Sequence, residues 1–282
     1  MPASGDRTRP STAAGSVQEQ TRVLAHAAIS ADYFRLDLDA PQIAARVRPG
    51  QFVHARLPSS GPQILRRPFS VYQAAGDRIT LLYKVVGEGT QRLRELRPGT
   101  ALDLIGPLGH PFTPTSAGEH PILVAGGYGM AALYLLARSC TAPGTAFAGG
   151  RRERDLLCVA EFQELGWTVV VTTEDGSQGE CGIVTGPLVR FLDEQAGPAA
   201  KRPRLYACGP NPMLAAVARI AAERRIACQI SVDMPMCCGV GACLTCVIKL
   251  ADPGAPHGWV WARTCTEGPV FDAARVLWAA LG

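Results

Sequence analysis

The chain lacks the marks of several protein classes. Among its 282 residues no apolar run approaches the roughly 18 residues that a membrane-spanning helix needs, so no membrane span is expected. Charged residues make up 18% and sum to only +4, with no clustering that would suit a nucleic-acid surface. The first 20 residues have no apolar stretch of the kind a secretory signal carries. They are rich in Ala, Ser, Gly, Pro and Thr, and read as a disordered tail. No internal repeat is present, and no low-complexity segment lies beyond that tail. What remains is 47% hydrophobic with a mean hydropathy of +0.09, the composition of a soluble globular protein long enough for two or three domains with their own cores.

Cysteine, by contrast, is plentiful at ten residues. Cys140, Cys158, Cys181, Cys208 and Cys228 are scattered singly in mostly apolar surroundings and read as buried free thiols, which favours a reducing cytoplasm. The others crowd near the C-terminus. Cys238, Cys243 and Cys246 stand in C-x4-C-x2-C spacing, and Cys265 follows farther along. This is the plant-type ligand spacing of a [2Fe–2S] cluster. Gly239 and Gly241 permit positive φ and a close approach of the backbone, so amide N–H groups can point at the cluster sulfurs. A four-cysteine zinc site is the alternative, but it pairs two short C-x2–4-C knuckles, and here the second half is Cys265 alone. Disulfides or inert thiols would also explain cysteines, less well when they are so crowded. Cys237 adjoins a ligand and is not expected to be one, because neighbouring side chains diverge.

Between residues 21 and 114 short apolar or alternating runs recur: Tyr33–Leu38, Gln51–Leu57, Phe69–Gln73, Ile79–Val86 and Ala101–Ile105. Turn signals separate them, including Ser-Ser-Gly-Pro at 59–62, which predicts an antiparallel barrel or sandwich. From 115 to 225 the period changes. Pro121–Ala125, Thr145–Ala148, Thr168–Thr172 and Arg204–Ala207 read as strands. Helical stretches alternate with them near Met130–Arg138, Leu156–Glu164, Pro187–Gln195 and Pro212–Arg224, the pattern of a parallel sheet. Residues 226–282 read as a small third unit with strands at Cys228–Val232 and Cys246–Leu250. The expected fold is therefore α+β and multidomain.

Arg66-Arg67-Pro68-Phe69-Ser70 opens a barrel strand, where an arginine fork can grip a pyrophosphate. Exposed arginines beside a turn are also often merely solvated. Leu82-Tyr83-Lys84 lies on the next strand, and Gly87-Glu88-Gly89-Thr90 leads into a short helix whose amides can face an anion or simply form a cap. Gly126-Gly127-Tyr128-Gly129 sits between strand and helix, the context of a dinucleotide turn, with Ala132 at the third glycine position. Cys208-Gly209-Pro210-Asn211-Pro212-Met213 follows another strand, at the edge where open α/β sheets bind ligands. Each of these turns also occurs for packing alone.

Taken together and in this order, these motifs resemble those of the electron-transfer subunit of NAD-dependent dihydroorotate dehydrogenase, within the ferredoxin–NADP reductase superfamily. The likeness runs from about Thr21 to Phe271. It includes Gly-Pro-Leu-Gly at 106–109, Glu-Asp-Gly-Ser at 174–177, Met236 to Cys246, and Cys265 to Phe271. The resemblance implies three cofactors: FAD, a [2Fe–2S] cluster and NAD(H). It implies that Arg67, Pro68, Phe69 and Ser70 hold FAD, with Leu82, Tyr83 and Lys84 beside it and Gly89 and Thr90 on its pyrophosphate. Gly126, Gly127, Gly129, Cys208, Gly209 and Pro210 would meet the nicotinamide nucleotide. Cys238, Cys243, Cys246 and Cys265 would ligate the cluster.

The chain departs from the family pattern where Met130, Ala131 and Ala132 replace a proline after the glycine turn. It departs again at Tyr128, normally a small or aliphatic residue, which is expected to narrow the site. Cys237 and the Pro/Trp-containing insert before Cys265 are further departures. The implied partner is an FMN-containing dihydroorotate dehydrogenase catalytic subunit, in a hetero-oligomer serving pyrimidine biosynthesis. Electrons would pass from the partner's flavin through the cluster and FAD to NAD. No catalytic acid or base is then expected in this chain. The alternatives are a related NAD(P)H:acceptor reductase subunit serving another oxidoreductase or a ferredoxin-like carrier, and a non-enzymatic redox or zinc-binding module. Arg151 and Arg152 follow the second strand of the α/β region, where a 2′-phosphate would lie, but read as solvated or capping, so NADH is the expected nucleotide.

Overall fold

The computed structural model describes residues 15–57, 65–195 and 201–281. The turn read at 59–62 and most of the N-terminal tail lie outside the described residues.

Six antiparallel strands form the first body: β1 (Val17–Ala28), β2 (Tyr33–Asp39), β3 (Phe52–Arg56), β4 (Arg67–Ala75), β5 (Arg78–Lys84) and β6 (Ala101–Leu108). They close as a barrel in the order β1-β2-β5-β4-β3-β6. Closure leaves no unpaired sheet edge. Two short helices, α1 (Pro41–Ala44) and α2 (Glu88–Arg94), lie in the connections. Five of the six strands were legible as alternating runs. The sixth corrects the reading of 1–20 as a tail, because β1 already begins at Val17 and pairs with β6 from Val17↔Gly106 onward. Its inward positions include Glu19 and Thr21, so hydrophobicity does not alternate there. Both are satisfied inside: the Glu19 carboxylate accepts from the Gln42 and Ile43 amides at 3.0 Å, and the Thr21 hydroxyl donates to the Leu102 carbonyl at 2.7 Å.

The second body is a seven-stranded sheet built from β7 (Glu119–Gly126), β8 (Thr145–Gly150), β9 (Thr168–Thr173), β10 (Glu180–Cys181), β11 (Arg202–Cys208), β12 (Ala227–Ser231) and, farther along the chain, β15 (Val270–Asp272). Its order is β10-β9-β8-β7-β11-β12-β15, parallel except for the last pair. Helices α3 (Gly129–Ser139), α4 (Val159–Glu164), α5 (Thr185–Glu194) and α6 (Asn211–Glu223) make the crossovers. The C-terminal stretch contributes strands to this sheet. Its first strand, β12, lies parallel to β11, and its last, β15, closes the same sheet. Between them a hairpin of β13 (Val247–Ala251) and β14 (Trp259–Arg263) carries the insert, with the Lys249 ammonium 4.0 Å from the Trp259 ring centre. At the junction of barrel and sheet, Tyr72 of β4 stacks on Tyr134 of α3 with centroids 4.5 Å apart.

The scattered cysteines only partly match their reading. Cys158, Cys208 and Cys228 are buried, Cys140 is half-buried, and Cys181 is exposed on β10 at the sheet edge.

Candidate functional site

The two arginines at the start of β4 divide their work. Arg66 donates to the Asp103 carboxylate and carbonyl, each at 2.9 Å, and is committed to the barrel wall. Among the described residues Arg67 makes local bonds, to the Leu65 and Arg66 carbonyls. It lies against Gly89, where an added Cβ would come within 3.3 Å of the Arg67 Nε. Sequence-distant motifs thus converge, with Arg67 beside the first turn of α2. There the Thr90 hydroxyl accepts from the Val86 and Gly87 amides at 2.9 and 3.2 Å. Ser70 is exposed and Pro68 half-buried, while Phe69 turns inward against Tyr83. Tyr83 is buried, its hydroxyl 2.9 Å from the His26 Nε2. Strand alternation then turns Leu82 and Lys84 to the opposite side.

At the C-terminal edge of the sheet, β7 and β11 are neighbours, so their two loops interlock. A Cβ on Gly129 would lie 2.0 Å from the Cys208 carbonyl oxygen, and one on Gly126 would lie 2.8 Å from Pro210. Only glycine allows that approach. All six residues assigned to the nucleotide therefore meet at one place. Beside them opens a cavity of about 620 Å³, lined among others by Tyr33, Lys84, Tyr128, Arg151, Arg152 and Glu174. Tyr128 stands 41% exposed at its mouth, and the Tyr128 hydroxyl donates to Asp233 at 2.6 Å.

The four cysteines of the C-terminal motif fall into two pairs. Cys238 Sγ accepts from the Ala242 and Cys243 amides at 3.3 and 3.4 Å, as a loop wrapped around sulfur requires. Gly239 and Gly241 have φ of +72° and +83°, the left-handed conformation expected of them. The β13–β14 hairpin brings the chain back so that Cys265 returns to Cys246. The Thr264 amide donates to the Cys246 carbonyl at 2.9 Å at its base. Hydrogen bonds from Thr245 and from Cys238 hold the Cys243 thiol down at about 6. A hydrogen bond from Cys265 holds Cys246 down at about 5, and Cys265 is pushed up in return.

Such a donor set fits two irons bridged by sulfide, each taking one thiolate pair. The paired cysteines pack on the barrel. Cys246 and Cys265 sit with Phe52 and Leu108, and the Gly239 backbone presses on His54, where a Cβ would reach 2.5 Å from Nδ1. Burial pushes the His54 imidazole down to about 4, so the ring is neutral. His54 was missed in the sequence. A lone histidine within an apolar run signals nothing until the cluster loop is laid over it.

A closed antiparallel barrel with an arginine-led strand, a parallel sheet with a glycine-lined edge, and a paired-cysteine loop define the class of iron–sulfur flavoprotein reductases. Residues 20–112 match the family described as "Oxidoreductase FAD-binding domain", and residues 234–277 match "Iron-sulfur cluster binding domain of dihydroorotate dehydrogenase B". The chain is 35% identical to the "Dihydroorotate dehydrogenase B (NAD(+)), electron transfer subunit" of Desulforamulus reducens, covering 91% of this chain and 97% of the relative. It is 36% identical to the protein so described from Caldanaerobacter subterraneus subsp. tengcongensis, over 92% and 98%. The chain belongs to this family of electron transfer subunits, and it is an oxidoreductase subunit. Among solved structures, an NADH-dependent reduced ferredoxin-NADP oxidoreductase superposes with a TM-score of 0.79 at 27% identity, covering 93% of this chain and 92% of that one. The ferredoxin reductase of carbazole 1,9a-dioxygenase shares the fold, with a TM-score of 0.61 at 23% identity over 75% and 67%. No helix among the described residues is long and apolar enough to cross a membrane.

Proposed function

We propose that the chain passes electrons between a catalytic partner subunit and NAD(H), the partner being an FMN-containing dihydroorotate dehydrogenase of pyrimidine biosynthesis in the cytoplasm. One observation carries this reading: the cysteine pairs pack on β3, and β3 is hydrogen-bonded to β4, which opens with Arg67-Pro68-Phe69-Ser70. A cluster and a flavin are thereby neighbours across a single strand. Bound FAD supplies the exchange between two-electron chemistry at NAD(H) and the one-electron steps a [2Fe–2S] cluster accepts.

The residues supply binding and orientation. Arg67, with Gly89 and Thr90 at the first turn of α2, grips the pyrophosphate of FAD. Pro68 and Ser70 line its ring from β4 and Leu82 and Lys84 from β5, while Phe69 and Tyr83, turned into the barrel core, back that face from behind. Gly126, Gly127, Gly129, Cys208, Gly209 and Pro210 leave the sheet edge open for nicotinamide. Cys238 with Cys243 and Cys246 with Cys265 hold the cluster. The working division is a flavin barrel to about 114, a nucleotide region from 115 to 225 and a cluster region from 226 to 282, the last sharing its outer strands with the nucleotide sheet. Arg151 and Arg152 are exposed at the cavity beside Glu174. A carboxylate there suits a ribose 2′-hydroxyl, which supports NADH.

The likeness to the NADH-dependent ferredoxin-NADP oxidoreductase, which spans 93% of this chain, favours a second reading. In it the same carriers serve a different oxidoreductase. Spectra of the purified chain with flavin, iron and sulfide analysis test the carriers, and affinity capture tests the partner. Flavin and two irons per chain, with capture of an FMN-containing barrel subunit, are expected. Capture of another oxidoreductase in its place would favour the second reading, and a colourless protein would sink both.

A further inference from the structure

The barrel meets the nucleotide sheet through a polar contact as well as an apolar one. Tyr33 and Lys84 face each other as the end pair of the β2–β5 ladder. Tyr33, Tyr72 and Leu82 pack outward against the sheet and α3, among Leu123, Met130 and Tyr206. Opposite them, Asp155 ends the single 3₁₀ turn Glu153–Asp155 that follows β8. The Tyr33 hydroxyl donates to its Oδ1 at 3.4 Å, and the Lys84 ammonium lies 3.5 Å from the same oxygen. The ammonium also stands 5.0 Å from the Tyr33 ring centre. Two donors from the barrel thus converge on one carboxylate oxygen from the sheet.

The place of this contact matters more than its strength. All three residues line the cavity of about 620 Å³. A Cβ on Gly127 of the glycine turn would lie 3.9 Å from the Tyr33 hydroxyl. Ion pairs on open surface contribute at most about 1 kcal/mol and are screened by solvent. Here the Lys84 and Asp155 side chains are only 33% and 16% exposed, so their charges act on what occupies the cavity. Lys84 ends the β5 motif that lines the flavin. Asp155 shares its loop with Arg151, Arg152 and Arg154, which border the nucleotide side of the same cavity.

Resting on the flavin assignment above, we propose that Asp155 is a positioning residue that tunes the flavin. Its carboxylate holds the Lys84 ammonium at the barrel rim and offsets part of that positive field. A fixed cation beside a site that takes up electrons raises its potential, and a carboxylate lowers it. The pair therefore sets the flavin potential between the values that either charge alone would give.

The test uses the full-length protein with its cofactors. Anaerobic reduction against a reference dye gives the flavin potential from absorbance, with the cluster followed separately by electron paramagnetic resonance. Asp155→Asn keeps an acceptor for both donors and loses the charge, so the flavin potential should rise. The expected change is on the order of tenfold in the reduced-to-oxidised ratio, about 30 mV for a two-electron couple. Asp155→Ser, a second neutral variant, should rise likewise, and Asp155→Glu should stay close to wild type. Adding Lys84→Met to Asp155→Asn removes both charges and should bring the potential back down. An unchanged potential in the loaded neutral variants overturns the inference alone. So does an equal rise in Asp175→Asn, whose carboxylate faces Arg152 at 4.0 Å, because net charge would then suffice. Flavin loss from both neutral variants would show that the carboxylate holds the site together instead of tuning it, which also overturns the inference. A wild-type protein that binds no flavin overturns it together with the proposed function.

Discussion

The Tyr128 hydroxyl donates to the Asp233 carboxylate at 2.6 Å, tying the glycine turn of β7 to the segment that leads from β12 into the cysteine loop. Burial and the neighbouring carboxylate both push the Tyr128 phenol up, so it remains a donor throughout the working pH range. The ring stands at the mouth of the cavity and is held there by its tip.

Removing that ring should open the cavity. Tyr128→Ser is expected to lower KM for NADH about fivefold, the effect of roughly 1 kcal/mol of relieved obstruction. Tyr128→Phe keeps the ring and loses only the tie, so its KM should stay close to wild type. Steady-state kinetics with an artificial acceptor checks both. A raised KM in Tyr128→Ser would mean that the ring is a binding platform for the nucleotide.

Arg66 and Arg67 are adjacent in sequence and should fail differently. Arg67→Ala removes a charge-assisted grip on a pyrophosphate, worth about 2 kcal/mol, and FAD affinity should drop roughly thirtyfold with little change in folding. Arg66→Ala leaves the buried Asp103 carboxylate without its counter-charge, with Gln18 as its remaining donor, and should cost stability by about 3 kcal/mol. Flavin-release titrations and urea melts separate the two. Equal flavin loss in both variants would defeat the division of labour.

Much of this was legible because the chemistry sits in turns. Glycine spacing, Arg67-Pro68-Phe69-Ser70 and the four cysteines mark their places without any knowledge of packing. The barrel strands with apolar alternation were readable for the same reason, and β1 was not, because Glu19 and Thr21 fill its inward positions. The attachment of β12 and β15 to the nucleotide sheet depends on long-range pairing that no local pattern encodes. His54 meets Gly239 and Asp233 meets Tyr128 across 185 and 105 residues of sequence respectively, which is why sequence spacing does not mark them.

The cysteine loop presents Val240 and Leu244 at 51% and 59% exposure beside the exposed Cys243. Apolar side chains flanking a redox centre suit a partner surface. Leu244 has a φ of 60°, a conformation asparagine tolerates well, so Leu244→Asn tests the surface without straining the loop. It should weaken association with the catalytic partner about tenfold, an anchor worth roughly 1.4 kcal/mol, and leave the visible spectrum unchanged. Unaltered association in a titration by calorimetry would put the partner elsewhere.

Alkaline sensitivity follows from three buried thiols. Burial pushes Cys158, Cys208 and Cys228 up to about 12 from an ordinary value of 9. Above pH 9 the unfolded chain releases these protons while the folded chain keeps them, so the native state binds more protons and stability falls as pH rises. The loss runs from about pH 9 to about 12, where the folded thiols ionise too. At pH 10.5 each thiol should contribute on the order of 1–2 kcal/mol of destabilisation. Urea melts followed by far-ultraviolet circular dichroism at pH 8 and 10.5 measure the slope. Cys228→Ala, outside every cofactor site, should flatten it by one thiol's share. An identical slope in that variant and the wild type would show that the alkaline loss arises from other groups, such as the buried tyrosines.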